Sequence, residues 1–137
     1  MIKTRERASQ IRRRLQELPA ELRAALDGVL RPRELLRGYV YRSQRRCGKP
    51  SCHCAMGEGH VALVLATRIN GQATTRSLSG PQAQRVVGLA RNYREFREGQ
   101  RRFRRGVREA LELIGELEAS LAQEPMPTPK ARSQSRP

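Results

Sequence analysis

The sequence predicts an α+β fold of 137 residues, in which N-terminal helices are followed by a small three-stranded antiparallel sheet and then by one long, coiled-coil-like helix. Three observations predict it. Apolar residues recur every three or four positions near both ends of the chain, as they do in amphipathic helices. Residues 39–78 between them contain strand-like alternation and turn signals. All three cysteines and both histidines lie within residues 47–60, between the first two predicted strands.

Changes of composition divide the chain into four segments. Residues 1–37 are predicted as an N-terminal helical segment, and residues 38–79 as a β-sheet that contains the cysteine-rich loop. Residues 80–123, which contain no proline after Pro81, are predicted as one long basic helix. Residues 124–137 are rich in proline, serine and basic residues, so we expect a disordered tail there.

Proline and glycine set the expected limits of the N-terminal helices. Residues 4–18 carry an apolar stripe, and Pro19 is expected to end this helix because proline has no N–H to donate within it. A second, short helix is predicted from Ala20 to Asp27, before Gly28. Residues 34–36 fit one further helical turn.

The middle of the chain reads as three strands with a tight hairpin. Residues 39–42, 61–69 and 72–78 show strand-like patterns, and Asn70-Gly71 between the last two favours a type I′ turn. This turn sets the register of the hairpin: the expected pairs are Ile69 with Gln72, Thr67 with Thr74, and Leu63 with Leu78. One face of the second strand is apolar and is expected to pack on a helix: Val61, Leu63, Leu65 and Ile69.

The long helix is expected to begin with a capping box formed by Ser79 and Gln82, with Pro81 between them. Its apolar residues then follow a heptad repeat in two columns. The first column comprises Val86, Tyr93, Gln100, Val107, Ile114 and Leu121, and the second Leu89, Phe96, Phe103, Ala110 and Leu117. This seam predicts a helical partner, either the N-terminal helices folded back or a second copy of the chain. We favour a homodimer, because the long seam extends beyond the N-terminal one.

The cysteine-rich loop has the composition of a metal site. Cys47, Cys52, Cys54 and His60 supply three thiolates and an imidazole, the Cys₃His set that closes a tetrahedral structural Zn²⁺ site. The glycines and the proline between them allow the sharp turns that such a loop needs. We therefore predict a zinc-knuckle-like loop that stabilises a sheet too small to be stable alone.

Other interpretations of this loop stay open at the level of sequence. His53 is an alternative fourth ligand, although its position between two ligating neighbours favours His60. A disulfide is disfavoured, because the cysteine count is odd and Cys52 and Cys54 are poorly spaced to bridge each other. A catalytic zinc ion needs a nearby general acid or base, and Glu58 is the only carboxylate within the loop. We therefore expect the zinc to be structural.

Arginine dominates the charge of the chain. Lysine and arginine number 28 against 13 acidic residues, which gives a formal net charge of +15. An excess of this size is typical of nucleic-acid-binding proteins, because arginine pairs with phosphate and stacks on bases. Five arginines recur at three- and four-residue steps and predict a phosphate-binding stripe on the long helix: Arg94, Arg97, Arg101, Arg104 and Arg108. Three more around the first strand are further candidates: Arg42, Arg45 and Arg46.

Several short motifs resemble a bacterial family of small basic proteins without an assigned function, often encoded beside transposase genes. The motifs that carry the resemblance are Cys47-Gly48-Lys49-Pro50, Cys52-His53-Cys54-Ala55, Gly57-Glu58-Gly59-His60 and Asn92-Tyr93-Arg94-Glu95-Phe96-Arg97. The resemblance extends from about Gly38 to Leu117, and it implies that the three cysteines and His60 form one unit and that the setting is a mobile element. The chain departs from the family pattern directly after His60, where it has Val61-Ala62-Leu63 instead of Gly-Pro-Tyr.

These patterns point to a nucleic-acid-binding protein rather than an enzyme. Asp27 is the only aspartate, and neither an acidic metal-ion cluster nor a Ser-His-acid set can be assembled. We expect a DNA-binding accessory or regulatory factor of a mobile element that acts on double-stranded DNA. One alternative is a helical scaffold or adaptor that docks on a larger protein such as a transposase or recombinase. RNA binding is another, with single-stranded bases stacked on Tyr39, Tyr41 and Arg42.

The sequence also bears on the cellular compartment. No run of residues approaches the roughly 18 consecutive apolar residues that a membrane span needs. The N-terminus has no apolar segment of the signal-peptide type. We therefore expect a cytoplasmic protein without a membrane partner.

Overall fold

The computed structural model describes residues 2–123, which form two long helices with a three-stranded sheet between them in sequence. The order of elements is α1 (Ile2–Leu30), β1 (Tyr39–Arg45), a 3₁₀ turn (His53–Ala55), β2 (His60–Ile69), β3 (Gln72–Leu78) and α2 (Gln82–Leu121). This confirms the predicted α+β class. The predicted disordered tail lies outside the described residues. Within residues 2–123, neither helix has an apolar stretch long enough to cross a bilayer.

Helix α1 packs antiparallel on α2. Two ion pairs show the direction: Arg7, near the start of α1, lies 2.7 Å from Glu116, and Arg14 lies 2.6 Å from Glu109. Apolar side chains of α1 are fully buried between Arg7 and Arg14 and also after Arg14; Ile11 is one of them. The N-terminal segment therefore folds back on α2 and supplies a helical partner for it within the same chain.

Helix α1 continues through Pro19, so the prediction that this residue ends a helix was wrong. A proline inside a helix loses one hydrogen bond and costs about 3 kcal/mol. The ring of Pro19 is exposed, whereas the buried positions of α1 lie on both sides of it, Ile11 and Leu18 before and Ala25 after. Burial of this continuous apolar face against α2 outweighs the cost of the proline, and one helix forms where two were predicted.

Residues 31–37 run from α1 to β1 without the helical turn predicted within them. The backbone N–H of Leu36 donates to the carbonyl of Leu89 over 3.2 Å. The side-chain amide of Asn92 donates to the carbonyl of Glu34 over 3.1 Å. Because these bonds to α2 satisfy backbone groups of the segment, it needs no helical hydrogen bonds of its own there.

Two glycines allow α1 and α2 to approach closely. Gly99 is buried, and a Cβ atom there would lie 3.0 Å from the carbonyl oxygen of Ala25. A Cβ atom at Gly106 would lie 2.7 Å from Cδ2 of Leu22. The face of α2 that meets α1 thus includes glycines that the predicted seam omits. The first column of that seam turns away from α1 near its end, where Ile114 is 51 % exposed.

The sheet has the strand order β1-β2-β3 and is antiparallel throughout. The predicted hairpin register is confirmed, with Ile69 opposite Gln72, Thr67 opposite Thr74, and Leu63 opposite Leu78. Asn70 and Gly71 have φ angles of 50° and 80°. A type I′ turn requires positive φ at both central residues, which Asn-Gly supplies at low cost.

The apolar face of β2 is buried only in part. Leu63 and Leu65 are half-buried, whereas Val61 and Ile69, towards the two ends of the strand, are exposed. Of the three strands, β1 makes the most extensive contact with α2. The expectation that this whole face packs on a helix was therefore wrong at its ends, because one helix about 10 Å wide cannot cover a strand of 10 residues.

Helix α2 begins at Gln82 without the predicted capping box. Pro81 is the residue that precedes the first helical turn, and no side chain caps that turn. Gly80, with a φ of 75°, turns the chain from β3 into the helix, and its carbonyl accepts the N–H of Ala83 over 3.1 Å. Ser79 consequently lies two residues ahead of the capping position, where its hydroxyl cannot take that role.

Candidate metal centre and arginine cleft

The three cysteines and His60 lie where β1 ends and β2 begins. Cys47 follows β1 by two residues, Cys52 precedes the 3₁₀ turn, Cys54 lies within that turn, and His60 is the first residue of β2. Arg45 at the end of β1 is paired with His60 across the two strands. Strand pairing therefore brings the two ends of the loop together, and the 3₁₀ turn folds the remaining cysteines back onto them.

The four donor atoms form a compact group. The Sγ atoms of Cys47, Cys52 and Cys54 and a ring nitrogen of His60 all lie within 4.8 Å of one another. Cys47 Sγ is 3.4 Å from Cys54 Sγ, and Cys52 Sγ is 3.2 Å from His60 Nε2. Ligands held at about 2.0 to 2.3 Å from a tetrahedral zinc ion lie about 3 to 4 Å from one another. The predicted ligand set thus has the dimensions of a metal site.

Two glycines shape the loop around this group. Gly48 has a φ of 79°, in the left-handed region that side chains disfavour. Gly59 lies against the backbone of the first strand, since a Cβ atom there would lie 2.7 Å from the carbonyl oxygen of Arg45. Between them, the N–H of Cys52 donates to the carbonyl of Lys49 over 3.1 Å, which closes a turn. The loop backbone thus depends on glycine at two points beside the cysteines.

His53 lies outside the group of four donors. Its Nδ1 is 4.0 Å from Cys52 Sγ. Its ring meets that of His60 edge to face, with the two centroids 5.4 Å apart. Of the two histidines considered as the fourth ligand, His60 therefore lies among the cysteines, and His53 packs against it from outside.

Hydrogen bonds within the group change the pKa of its members. The backbone N–H of Lys49, followed by contacts with Cys54 and His60, lowers the pKa of Cys47 to about 6. The backbone N–H of Cys54 likewise lowers the pKa of Cys52. For Cys54, the backbone N–H of Cys47 lowers the pKa, but burial and the neighbouring thiols outweigh it and raise the pKa overall. Hydrogen bonds to Cys47 and Cys52 raise the pKa of His60.

This arrangement suits a closed site with four protein ligands. Cys54 is fully buried, whereas Cys47 and His60 are exposed, so the group lies at the surface with one thiol directed inward. Among residues 2–123, no carboxylate belongs to the group. A set of three cysteines and one histidine, four protein ligands in all, is typical of structural metal sites, whereas catalytic zinc sites generally have three protein ligands and an open position. The cluster is therefore a candidate metal centre within the β1–β2 connection.

The arginines of the predicted stripe lie on one face of α2. At about 100° per residue, all five fall within about 80° of the helix circumference. Gly99, which contacts α1, lies about 180° from the middle of this stripe, so α1 leaves the arginine face open. All five side chains are exposed: Arg94, Arg97, Arg101, Arg104 and Arg108. Among the described residues only one of them has an acidic partner, Arg101 with Glu98 at 3.8 Å.

The first half of the stripe forms one wall of a cleft between α2 and the sheet. The cleft has a volume of about 1020 Å³, and Arg94, Arg97 and Arg101 line it from α2. Arg42 lines it from β1. No aspartate or glutamate is among its lining residues, and all three tyrosines of the chain are: Tyr39, Tyr41 and Tyr93. The cleft is thus both basic and aromatic.

Three arginines that the sequence patterns did not single out line the same cleft: Arg37, Arg68 and Arg91. They belong to the connection before β1, to β2 and to the first part of α2, so no local spacing relates them. The only signal for them in the sequence was the overall excess of arginine. The remaining predicted arginines lie elsewhere. Arg104 and Arg108 continue the stripe beyond the cleft, and Arg45 and Arg46 lie at the metal end of β1.

Comparison with known proteins adds a family but no activity. A family model described as "Domain of unknown function (DUF6788)" matches residues 5–86. The matched region includes most of α1, the whole sheet and the cysteine cluster, and it ends before the arginine stripe. No curated protein and no solved structure matches the chain.

Proposed function

The chain belongs to the family defined by the domain of unknown function DUF6788, and from the geometry of its two sites we propose that it is a zinc-stapled nucleic-acid-binding protein. Zinc holds the β1–β2 connection, and the arginine face of α2 binds the phosphate backbone. The single observation that carries the proposal is the acid-free cleft, which is lined by arginines from α2 and from the sheet.

Zinc is the metal that this donor set fits best. Three thiolates and one imidazole are soft ligands, and a tetrahedral arrangement of sulfur and nitrogen donors is typical of zinc. In the purified full chain we expect one zinc ion per molecule by elemental mass spectrometry. Because binding to a structural zinc site contributes directly to folding, a chelator should lower the melting temperature of the protein. Full stability after complete removal of metal would contradict this role.

The arginine stripe supports the phosphate-binding part of the proposal. Like charges three and four residues apart repel one another along a helix, so an exposed stripe of this kind destabilises α2 unless an anion covers it. Phosphates are such anions, and each neutralised phosphate releases counterions. Two of the glutamates farther along α2, Glu109 and Glu116, pair with arginines of α1 instead of the stripe.

Salt dependence of binding tests this part. The triple variant Arg94→Gln, Arg97→Gln, Arg101→Gln should lower the slope of log affinity against log salt by about one unit per arginine. The matched control is Arg5→Gln, Arg12→Gln, Arg13→Gln, which removes the same charge from exposed arginines that make no ion pair among the described residues. The control should keep nearly the full slope. Equal slopes for both triple variants, on duplex and on single-stranded probes, would refute phosphate binding by the stripe.

We further propose that the nucleic acid is DNA and that the protein is a non-catalytic, cytoplasmic accessory or regulatory factor of a mobile element, with a transposase or recombinase as its partner. Three free cysteines without a disulfide among them fit a reducing compartment. Crosslinking in the native cell followed by sequencing of the recovered nucleic acid tests this assignment. Enrichment of a few DNA sites is expected. Enrichment of transcripts would refute the choice of DNA.

A second candidate function, a helical scaffold, rests on a different observation. Beyond the cleft, α2 exposes apolar side chains at helical spacing, among them Leu111, Ile114 and Leu121. Such a column fits a second copy of this chain, which retains the homodimer as a proposal, or a helix of a larger protein. Pull-down after nuclease treatment separates the two functions, because a partner that persists without nucleic acid supports the scaffold.

A further inference from the structure

The tyrosines of this protein are placed where binding of a phosphate backbone alone would not require aromatic side chains. The chain has three tyrosines, and all three line the cleft. Tyr39 is 65 % exposed, and its ring lies 5.8 Å from that of Tyr41 with a 35° angle between the planes. An aromatic side chain left this exposed beside a second one offers a flat apolar surface to a ligand.

The charges around the tyrosines come from both walls of the cleft. Arg37, Arg42 and Arg68 lie on the side of the sheet, and Arg94, Arg97 and Arg101 lie on the side of α2. The lining of the cleft therefore combines arginines from the sheet and from α2 with the three tyrosines. Positively charged grooves with aromatic side chains on which successive bases stack are the shared feature of proteins that bind single strands.

The size of the cleft and its aromatic lining favour a single strand over a duplex. Its volume of about 1020 Å³ is at the upper end of the roughly 300 to 1,000 Å³ typical of small-molecule sites. A few unpaired nucleotides match this scale. In a duplex the faces of the bases are stacked on one another, so tyrosines in a cleft cannot reach them without unstacking. The exposed continuation of the stripe, Arg104 and Arg108, then follows the strand as it leaves the cleft.

We infer that the cleft between α2 and the sheet binds single-stranded nucleic acid, with bases stacked on Tyr39 and Tyr41 and phosphates held by Arg94, Arg97 and Arg101. This inference rests on the proposed function and restricts the proposed ligand from nucleic acid in general to single strands. The charge stripe alone would fit a duplex equally well, because arginines contact only the phosphates. The tyrosines favour a single strand, because they can stack only on accessible base faces.

Binding of matched probes to the full, zinc-loaded chain tests the inference. The probes are a labelled oligo-dT, the duplex of the same length with oligo-dA, and oligo-rU, measured by fluorescence anisotropy at physiological salt. The single strands should bind about 10-fold or more tightly than the duplex, and tyrosine fluorescence should be quenched on binding. Tyr39→Ala should weaken single-strand binding about 5-fold or more and leave duplex binding unchanged.

Two controls keep the result interpretable. Tyr39→Phe preserves the ring and should bind single strands as the unmodified protein does, and circular dichroism and zinc content should show that Tyr39→Ala is folded. Equal affinity for single strand and duplex, together with no effect of Tyr39→Ala, would overturn the inference and leave phosphate binding intact. If the stripe variant also binds both probes unchanged, the proposed function itself fails. Tighter binding of oligo-rU than oligo-dT would uphold the inference and overturn the choice of DNA.

Discussion

The four donors of the cluster are the most reactive side chains of this protein, and neighbouring groups shift their pKa values. A thiol must lose its proton to bind zinc. The backbone N–H of Lys49 lowers the pKa of Cys47 to about 6, so this side chain is largely a thiolate at neutral pH. His60 carries the opposite shift, since the thiolates beside it raise its pKa. Metal binding at neutral pH therefore displaces little proton from Cys47, whereas it must displace the proton of Cys54, whose pKa is raised. The raised pKa of His60 strengthens the competition between proton and metal at that ring.

The two histidines provide a direct test of ligand identity. His60→Ala should lose zinc and melt at a lower temperature, because it removes one of four ligands. His53→Ala should retain one zinc ion per chain, since its ring lies outside the donor group. Elemental mass spectrometry and thermal unfolding of both variants check the prediction. Loss of zinc only from His53→Ala would reverse the assignment.

Arg14 makes the folding stability depend on pH at acid values. It donates to Glu109 and to Glu21, and these bonds lower the pKa of both carboxyl groups below the ordinary value of 4.5. A carboxyl group whose pKa is lower in the folded state stabilises the fold above its unfolded pKa, and this contribution is lost as the pH falls through the folded pKa. The melting temperature should therefore decrease as the pH is lowered below about 4.5. In Arg14→Gln, the melting temperature should depend less on pH in this range.

The control for this prediction is Arg23→Gln. Arg23 pairs with Asp27 on the exposed side of α1, and among the described residues it makes no hydrogen bond or ion pair with α2. Exposed pairs of this kind contribute little to stability. Arg23→Gln should therefore keep the acid dependence of the unmodified protein, and an equal change in both variants would contradict the role of Arg14.

Among the secondary-structure elements, α2 makes the most varied contacts, because its different faces meet different parts of the chain. One face packs on α1 through Gly99 and Gly106, and another carries the arginine stripe. Near its start it also meets the sheet. A helix that is polar over much of its surface gains stability mainly from such packing. Loss of contact with α1 should therefore destabilise α2, the helix on which the arginine stripe lies.

The close approach of the helices can be tested at glycine. Gly99→Leu should lower the free energy of unfolding by about 1 to 3 kcal/mol, because the side chain must enter space beside Val29 and the Ala25 carbonyl. Gly115→Ala is the control, since a Cβ atom there meets nothing within 4 Å. It should raise stability by up to about 1 kcal/mol through better helix propensity. Urea unfolding measures both, and a stabilised Gly99→Leu would contradict the packing.

Pro19 offers a second test of α1. Because the helix continues through this exposed residue, Pro19→Ala should restore one backbone hydrogen bond and remove a steric conflict. We expect a gain of about 2 to 3 kcal/mol in the free energy of unfolding. The same substitution at Pro32, which lies after the end of α1, should have a much smaller effect. Equal effects at the two prolines would indicate that α1 is interrupted at Pro19.

Across the whole molecule, the metal cluster, the cleft and the apolar end of α2 occupy different places. The cluster lies at one end of the β1–β2 pair, and the cleft lies between the sheet and α2. The exposed apolar column that begins at Leu111 lies farther along α2, beyond the last arginine of the stripe. The surfaces proposed for zinc, for nucleic acid and for a protein partner are therefore separate from one another.

The apolar column predicts self-association. Ile114→Glu should convert a homodimer into a monomer, because it introduces a charge into the column where Ile114 is 51 % exposed. Val61→Glu, at an exposed apolar position of the sheet, is the matched control and should leave the oligomeric state unchanged. Sedimentation velocity without nucleic acid distinguishes them. A monomeric unmodified protein would contradict the dimer.

Local chemistry made part of this molecule predictable. Asn70-Gly71 determines a hairpin register, because only certain residues adopt positive φ at low cost. The cysteines and His60 are predictable as one site because they lie within a short loop between paired strands. The arginine stripe follows from helical periodicity alone. In each case the information lies within a few turns or one loop of the chain.

Tertiary structure decided what depends on contacts distant in sequence. Burial against α2 carries α1 through Pro19 against local preference, and the choice of His60 over His53 depends on where strand pairing places each ring. The cleft has no sequence motif, since it joins Arg42 and Arg68 to Arg94 across separate elements. By itself, the sequence determined which chemical groups are present and how neighbouring ones are spaced. The fold determined which of them face one another, because that choice depends on packing free energies summed over the whole chain.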